Sequence, residues 1–215
     1  MCENKKCVLI LSGGIDSVVL LHLLKRMKYS VYGLTFDYGQ RHKKEILYAA
    51  YWADELCDEW NVVDLSCVNK LISNSSLTGD VDLYGNPKDT VVPNRNMMML
   101  SIAIAWAENL GIDEVYFGAN LSDYEVYPDC RQQYIVELNK ASELGTNNSV
   151  KVKAPFIGML KSDIVKLGSV LGVNFFKTWT CYKGDDFHCG KCPSCIERIK
   201  AFNNAGVKDP VKYNE

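Results

Sequence analysis

The chain alternates short, continuous apolar runs with longer segments in which apolar residues recur at helical spacing. Residues 7–11 form the first apolar run, which favours a strand buried on both faces of a parallel sheet. Helical spacing follows, because residues 18, 19, 21, 23, 24 and 27 are apolar whereas residues 22, 25, 26 and 28 are polar or charged. The pattern therefore predicts a buried strand, a tight turn and a helix.

This alternation continues through most of the chain. Further strands are predicted at residues 29–38, 60–65, 114–119 and 150–155. Further helices are predicted at residues 43–57, 97–109, 132–144 and 161–171, and a last helix begins near Pro193. Since strands and helices alternate with short connections, the sequence predicts an α/β fold with a parallel sheet.

Residues 66–92 interrupt this rhythm. Ser, Asn, Gly, Asp and Pro are frequent there, and no long hydrophobic period survives. A loop of this length in a compact domain is more often a functional cover or a mobile segment than a simple connection.

The turn after the first strand reads Ser-Gly-Gly-Ile-Asp-Ser at residues 12–17. Its glycines permit positive φ angles, and the free N–H groups at the start of the next helix attract phosphate. A Walker A loop would need a lysine and a dinucleotide-binding loop a third glycine, and neither is present. Hydroxyls from Ser12 and Ser17 can hold a pyrophosphate, and Asp16 beside it requires a cation such as Mg²⁺. The motif resembles the PP-loop of ATP pyrophosphatases; the alternative is a structural corner with incidental serines.

Composition narrows the class of protein. The 215 residues suit one α/β domain with an appendage, which we divide into a nucleotide-binding part (1–173) and a C-terminal part (174–215). The apolar share of 47% is ample for a packed core, and a net charge of −2 gives no support for nucleic-acid binding. No apolar run approaches the roughly 20 residues of a membrane span, and the N-terminus does not resemble a signal peptide.

Four of the nine cysteines cluster near the C-terminus, separated by seven, two and two residues: Cys181, Cys189, Cys192 and Cys195. Such spacing is typical of a closed, structural four-thiolate zinc site; an iron–sulfur cluster and four free thiols are the alternatives. His188 is a possible substitute ligand, although we expect an exposed loop histidine. The remaining five cysteines are scattered, which disfavours disulfides and indicates a reducing, cytoplasmic location.

Several charged residues lie near predicted strand ends or helix starts. The cations are Arg41, His42, Arg95, Lys161 and Lys177. Each can either pair with a triphosphate or be a solvated surface charge, and Arg95 is favoured as a partner because its neighbours suit a helix start. Asp129 follows the fourth strand, at the edge where α/β folds bind ligands. Its carboxylate can accept two N–H bonds from a guanine-like edge, or it can cap the helix that follows. We expect Cys130 to be a buried thiol and not a nucleophile.

The motifs occur together in one order: residues 12–17, 38–42 (Tyr-Gly-Gln-Arg-His), 92–96 (Val-Pro-Asn-Arg-Asn), 127–131 (Tyr-Pro-Asp-Cys-Arg), 178–182 (Thr-Trp-Thr-Cys-Tyr) and the last three cysteines. In this order they closely resemble the ExsB family, the 7-cyano-7-deazaguanine synthases of queuosine biosynthesis. The resemblance extends from residue 8 to about residue 202. It implies a Rossmann-like PP-loop ATPase fold with a C-terminal helical zinc-binding segment.

The resemblance also implies an activity: 7-carboxy-7-deazaguanine, ammonia and ATP give 7-cyano-7-deazaguanine through an acyl adenylate and an amide. The implied catalytic residues are Asp16, Arg95 and Lys161. The implied ATP contacts are Leu11, Ser12, Gly13, Gly14, Ile15, Asp16, Ser17 and Arg41. The implied substrate contacts are Asp129 and Arg131. ATP, Mg²⁺ and one structural Zn²⁺ per chain are the expected cofactors, and a cytoplasmic homodimer without nucleic acid is the expected assembly.

Two other functions stay open on the sequence alone. A tRNA-thiolating PP-loop enzyme would require a nucleophilic cysteine pair and a basic RNA surface. A zinc-bearing protein that binds ATP without turnover would belong to a different class, although the intact Ser12, Asp16 and Ser17 disfavour it.

Overall fold

The computed structural model describes residues 5–40, 43–72, 75, 77, 87–183 and 186–214. Its strands are β1 (Lys6–Ile10), β2 (Ser30–Asp37), β3 (Glu59–Asp64), β4 (Glu114–Tyr116) and β5 (Lys151–Lys153). Its α-helices are α1 (Ile15–Arg26), α2 (Lys44–Leu56), α3 (Arg95–Asn109), α4 (Gln132–Gly145), α5 (Lys161–Val170) and α6 (Pro193–Ala205). The described strands form one parallel sheet in the order β3-β2-β1-β4-β5, which confirms the predicted fold class.

The central strand β1 is buried on both faces, as its apolar run predicts. Cys7 and Leu9 point into a hydrophobic cluster with α1, α2, α5 and α6. Val8 points into a second cluster, which includes residues of α3 and α4. The sheet is therefore the middle layer between two layers of helices.

Strand order reverses between β1 and β4, the two neighbours at the centre of the sheet. Strands β2 and β3 lie on one side of β1, and the chain then crosses to the other side, where β4 and β5 lie. The connections that leave the carboxyl ends of β1 and β4 consequently diverge, which opens a crevice at that edge of the sheet.

Three element boundaries differ from the prediction by two residues or more. The strand predicted at residues 114–119 ends at Tyr116, because Gly118 lies against the first turn of α1; a Cβ at Gly118 would lie 3.2 Å from Asp16 Cβ. The strand predicted at 150–155 comprises only residues 151–153. Helix α3 begins at Arg95 and not at residue 97, because Asn94 adopts a left-handed conformation (φ 55°) that an asparagine tolerates.

The C-terminal segment packs into the same core as the nucleotide-binding part. Phe175 and Phe202 belong to one cluster with Leu9 and Val19, and their rings meet edge to face at 5.1 Å. The predicted boundary at residue 173 therefore crosses a shared hydrophobic cluster. No helix among the described residues is long and apolar enough to cross a membrane.

Candidate active site

The turn between β1 and α1 has the backbone conformation that its glycines predict. Gly13 has φ +78°, and a Cβ there would lie 2.4 Å from the carbonyl oxygen of Glu45 in α2. Gly14 is the N-cap of α1 and makes no side-chain capping bond. The turn therefore presents backbone N–H groups at a helix start, where an anion is favoured.

The two serine hydroxyls of this turn contact each other. Ser12 Oγ lies 3.1 Å from Ser17 Oγ and accepts a 3.3 Å hydrogen bond from the N–H of Gly14. Ser17 is buried, and its hydroxyl donates to the carbonyl of Gly14 at 3.2 Å. Ser12 is exposed at the surface of the turn, so of the two hydroxyls it is the one directly accessible to a ligand.

Asp16, in the first turn of α1, forms an ion pair with Lys161 from the start of α5. The Lys161 ammonium lies 3.3 Å from Asp16 Oδ2 and 2.8 Å from Glu197 Oε2 of α6. Burial opposes the charged form of Lys161, but the two carboxylates outweigh it and hold the pKa of Lys161 well above its ordinary value. Two residues that the sequence predicts to be catalytic are therefore in direct contact.

The second oxygen of Asp16 is the observation that fits a divalent cation. Asp16 Oδ1 is buried and has no hydrogen-bond partner among the described residues. Burial raises the pKa of Asp16, and Lys161 acts in the opposite direction. Because Mg²⁺ is bound by carboxylate oxygens together with substrate phosphates, an ion at Oδ1 would satisfy an oxygen that the protein leaves without a partner.

A cavity of about 440 Å³ extends from this turn along the carboxyl edge of the sheet. Its walls include the PP-loop residues Ser12, Gly14 and Asp16. Leu77 and Thr90 also line it, and both come from the loop predicted to be a functional cover or a mobile segment, of which residues 73, 74, 76 and 78–86 lie outside the described residues. The cavity is also lined by Tyr38, Glu45, Arg95, Asp123, Tyr127, Cys130, Lys161, Trp179, Thr180, Tyr182 and Glu197.

Arg95 lies in the cavity wall near several tyrosine side chains. Its Nη1 donates a 3.2 Å hydrogen bond to Tyr38 Oη, and its guanidinium lies 5.2 Å from the centroid of the Tyr38 ring. Tyr127 and Tyr182 also line this region. The result is a cationic group among aromatic rings, which suits a planar, anionic ligand.

Asp129 and Arg131, the two predicted substrate contacts, lie outside the cavity wall and make contacts with other parts of the protein. Asp129 Oδ2 accepts a 2.9 Å hydrogen bond from the N–H of Asn96, so it caps α3, whereas our capping alternative placed it on the helix that follows. The Arg131 guanidinium lies over the Tyr124 ring, and its Nε donates to the Tyr124 carbonyl at 3.2 Å. Neither residue is part of the cavity wall described above.

Glu45 and Asp123, like Glu197, are acidic residues of the cavity wall that were not identified from the sequence. Burial raises the pKa of Glu45 to about 7, with the Arg95 guanidinium acting in the opposite direction. Burial also raises the pKa of Asp123 to about 6, with Lys161 opposing it. An acid in the first turn of a helix is common for electrostatic reasons alone, so sequence position did not distinguish either residue.

Arg41 and His42, the other cations predicted near the phosphates, lie outside the described residues. Lys177 is described, and its ammonium lies 4.9 Å from the centroid of the Tyr51 ring. Cys130 is a buried thiol, as expected, and burial raises its pKa above the ordinary value.

The four C-terminal cysteines form a compact cluster. The Sγ atoms of Cys181, Cys189, Cys192 and Cys195 all lie within 4.8 Å of one another, and all four residues are buried. Sγ of Cys189 is 3.9 Å from that of Cys195, close to the roughly 3.8 Å that tetrahedral zinc with 2.3 Å bonds requires. The arrangement can therefore hold a metal ion.

Backbone N–H groups donate hydrogen bonds to the cysteine sulfurs and would stabilise the negative charge of the thiolates. Cys181 Sγ accepts 3.3 Å hydrogen bonds from the N–H groups of Lys183 and Cys189, and Cys189 Sγ accepts one from Cys192. His188 was expected to be an exposed loop residue, which is wrong. It is 3% exposed, because its ring packs on Trp179 with centroids 4.3 Å apart.

Comparisons with known proteins identify the family. The family model described as "Queuosine biosynthesis protein QueC" matches residues 6–206. The chain is 44% identical to a 7-cyano-7-deazaguanine synthase of Psychromonas ingrahamii, with 99% of each chain covered. It is 43% identical to one of Alteromonas mediterranea, with 99% of this chain and 100% of that protein covered.

Solved structures with more distant sequences share the fold. An NMN synthetase from Francisella tularensis aligns with a TM-score of 0.56 at 15% identity, covering 96% of this chain and 79% of its own. An NH3-dependent NAD synthetase from Campylobacter jejuni aligns with a TM-score of 0.52 at 20% identity, covering 80% of this chain and 66% of its own. The family model that matches residues 6–206 and the relatives that cover 99% of this chain lead to one conclusion: the chain belongs to the QueC family of queuosine biosynthesis proteins.

Proposed function

We propose that this protein is a ligase that uses ATP and ammonia to convert 7-carboxy-7-deazaguanine to 7-cyano-7-deazaguanine (preQ(0)), a step in queuosine biosynthesis. The observation that carries the proposal is one continuous cavity joining the lysine-free PP-loop to Arg95 among its tyrosines. The relatives named 7-cyano-7-deazaguanine synthase match almost the full length of the chain, which supports the same activity here.

The chemistry requires ATP because a carboxylate is too poor a leaving group for ammonia to displace. Transfer of AMP to the carboxylate gives an acyl adenylate and releases pyrophosphate. Ammonia then gives the amide, and a second adenylation, on the amide oxygen, permits loss of AMP to form the nitrile. Positioning and charge neutralisation would supply most of the catalysis.

In this proposal the PP-loop residues hold the triphosphate. The N–H groups at the start of α1 and the Ser12 hydroxyl bind phosphate oxygens. The buried Ser17 hydroxyl stabilises the turn through its hydrogen bond to the Gly14 carbonyl. Asp16 would hold Mg²⁺ through the buried carboxylate oxygen that lacks a partner, and the ion would supply positive charge against the phosphates. Lys161, held by Asp16 and Glu197, faces the cavity and stabilises the negative charge that develops when pyrophosphate leaves.

The deazaguanine substrate would occupy the tyrosine-lined part of the cavity. Arg95 would attract the carboxylate of the substrate, and the rings of Tyr38 and Tyr182 would contact its planar face. Asp129 stays a proposed contact to the guanine-like edge and Arg131 a proposed contact nearby. Since Asp129 Oδ2 already caps α3, such a contact would use Oδ1.

Zinc is proposed as the ion of the cysteine cluster. Four thiolates close its coordination shell, so zinc would be structural and take no part in the reaction. The cluster adjoins Trp179, which lines the cavity and packs on His188. A cytoplasmic homodimer is the proposed assembly; the eight described cysteines are all free of disulfides, which suits a reducing compartment.

A tRNA-thiolating function is less well supported. It requires a nucleophilic thiolate near the PP-loop, but Cys130 is the cysteine of the cavity wall, and burial raises its pKa. Four other cysteines belong to the buried C-terminal cluster. A protein that binds ATP without turnover would not need the Asp16–Lys161 pair to face an open cavity.

Mass spectrometry of the reaction products tests the proposal. Purified protein is mixed with ATP, Mg²⁺, ammonium and 7-carboxy-7-deazaguanine, and the expected products are the 7-cyano compound, AMP and pyrophosphate. Omission of ammonium should stop nitrile formation. ADP and phosphate as products, or unchanged deazaguanine in the complete mixture, would overturn the assignment.

A further inference from the structure

Glu45 is a carboxylate of the cavity wall that neither ATP binding nor substrate binding in the proposed reaction requires. It lies in the first turn of α2 and lines the cavity together with Ser12 and Arg95. ATP and a carboxylated substrate are both anionic, so a carboxylate in their binding cavity disfavours them unless it meets a cation or carries a proton. Of the proposed co-substrates, only ammonia has a cationic form.

The Glu45 side chain is held in a defined orientation. The amide of Gln40, which is 6% exposed, donates a 2.9 Å hydrogen bond to Glu45 Oε1. Gln40 is itself fixed, because its oxygen accepts from the N–H of Tyr38 at 2.8 Å and its amide also donates to the Phe36 carbonyl at 3.3 Å. No described residue donates a hydrogen bond to Glu45 Oε2, which leaves that oxygen available to a ligand.

The electrostatic environment suits a group that exchanges a proton near neutral pH. Burial raises the pKa of Glu45 to about 7, Arg95 from α3 lowers it, and Asp37 at the end of β2 raises it. A base with a pKa near the working pH combines a useful deprotonated fraction with sufficient proton affinity. Glu45 is therefore suited to the removal of protons from nitrogen.

We propose that Glu45 receives the ammonium ion and accepts the proton that must leave before nitrogen can attack the acyl adenylate. This proposal rests on the proposed function. Ammonium gives one proton to Glu45; the nitrogen lone pair forms the new C–N bond, and the C–O bond to AMP breaks with its electrons leaving on AMP. The second proton lost by nitrogen passes to solvent, so that ammonium and acyl adenylate give amide, AMP and two protons.

The same position serves the second half of the reaction. After adenylation of the amide oxygen, the nitrogen must lose its two protons while the C–O bond to AMP breaks and the C≡N bond forms. Glu45, having returned its first proton to solvent, accepts one of these protons, and the other passes to solvent. Glu45 thus accepts a proton from nitrogen both in amide formation and in nitrile formation.

The test compares Glu45→Gln with Glu55→Gln, an exposed glutamate of the same helix. The glutamine at position 45 keeps an oxygen for the Gln40 bond but accepts no proton. Two rates are measured on each protein: exchange of labelled pyrophosphate into ATP with 7-carboxy-7-deazaguanine and no ammonia, and amide formation with ammonium. We expect Glu45→Gln to keep the exchange rate but to lose about 100-fold or more in amide formation.

Hydroxylamine gives an independent readout, because it is mainly neutral at pH 7 and attacks without prior deprotonation. Glu45→Gln should therefore form the hydroxamate at close to the unmodified rate, and the rise of its ammonia-dependent rate near pH 7 should be lost. Equal loss of exchange and amide formation would assign Glu45 to ATP or substrate binding and overturn the proposal. Full amide formation by Glu45→Gln would also overturn it, whereas absence of exchange in the unmodified protein would refute the proposed function itself.

Discussion

The backbone N–H of Trp179 donates a 3.0 Å hydrogen bond to the carbonyl oxygen of Gly13. Trp179, two residues before the first cysteine of the cluster, is thus hydrogen-bonded directly to the PP-loop. Nearby, Trp52 Nε1 of α2 donates to the Lys177 carbonyl at 2.6 Å, and the Trp179 ring packs on Tyr48 with centroids 5.6 Å apart. Disorder in the C-terminal segment would consequently reach the phosphate-binding turn.

Replacement of Cys192 by Ser should lower the metal content and loosen this connection. Thiolate ligation contributes to folding free energy, so losing one ligand should loosen residues from about 174 onward more than the sheet. Elemental analysis of anaerobically purified protein should give about one zinc per chain before the change and less after it. Iron with sulfide, seen as a visible absorption band in the unmodified protein, would contradict the choice of metal.

Gly13→Ala should lower the free energy of unfolding far more than Gly111→Ala. Both glycines have positive φ, +78° and +66°, but a Cβ at Gly13 would meet the Glu45 carbonyl at 2.4 Å, whereas at Gly111 nothing lies within 4 Å. We expect Gly111→Ala to cost about 1 kcal/mol and Gly13→Ala about 3 kcal/mol or more. Urea unfolding of both variants measures the difference, and equal losses would contradict the packing argument.

Arg198 should be essential for stability although nothing in the proposed reaction requires it. It is fully buried, makes two hydrogen bonds to Asp209 at 2.9 and 3.0 Å, and donates to Thr178 Oγ1 at 2.9 Å. Arg198→Met removes the cation that pairs with the Asp209 carboxylate, which then keeps its hydrogen bonds from Tyr213 and Val211; the loss should cost about 3–5 kcal/mol. A substitution of the exposed Lys200 in the same helix is the control. A loss of unfolding free energy below about 1 kcal/mol for Arg198→Met would refute the prediction.

Asp16→Asn should abolish release of pyrophosphate while the protein stays folded. The change removes the charge that Mg²⁺ needs at Oδ1 and weakens the hold on Lys161, whose second partner Glu197 remains. Pyrophosphate release and circular dichroism are measured on the same preparation. Pyrophosphate formation at an undiminished rate would show that Asp16 does not serve ATP cleavage.

Asp129→Ala separates two roles for that carboxylate. Loss of the cap on α3 should lower stability by about 1 kcal/mol. If Oδ1 also contacts the substrate, calorimetric titration should show that 7-carboxy-7-deazaguanine loses on the order of 2–4 kcal/mol of binding free energy while ATP loses much less. Equal weakening of both ligands, or of neither, would leave Asp129 with the helix-capping role alone.

Local patterns in the sequence were sufficient to predict much of the structure. The apolar run before Gly13 identified the strand that lies at the centre of the sheet, and the cysteine spacing identified the cluster that the fold assembles. Both features depend on residues close together in the chain, so their periodicity or spacing is visible without tertiary information. The alternation of elements likewise predicted the α/β parallel sheet.

Only the tertiary structure decided which distant residues meet. Glu45 and Glu197 reach the cavity because α2 and α6 pack around the PP-loop, and Asp129 caps α3, 33 residues earlier in the chain, and not the helix beside it. Burial changes the proton affinity of Glu45, and burial depends on neighbours from several elements. The sequence by itself therefore determined the fold class, the PP-loop and the cysteine cluster, whereas the ion pairs, the caps and the environment of each carboxylate arise from contacts between segments far apart in the chain.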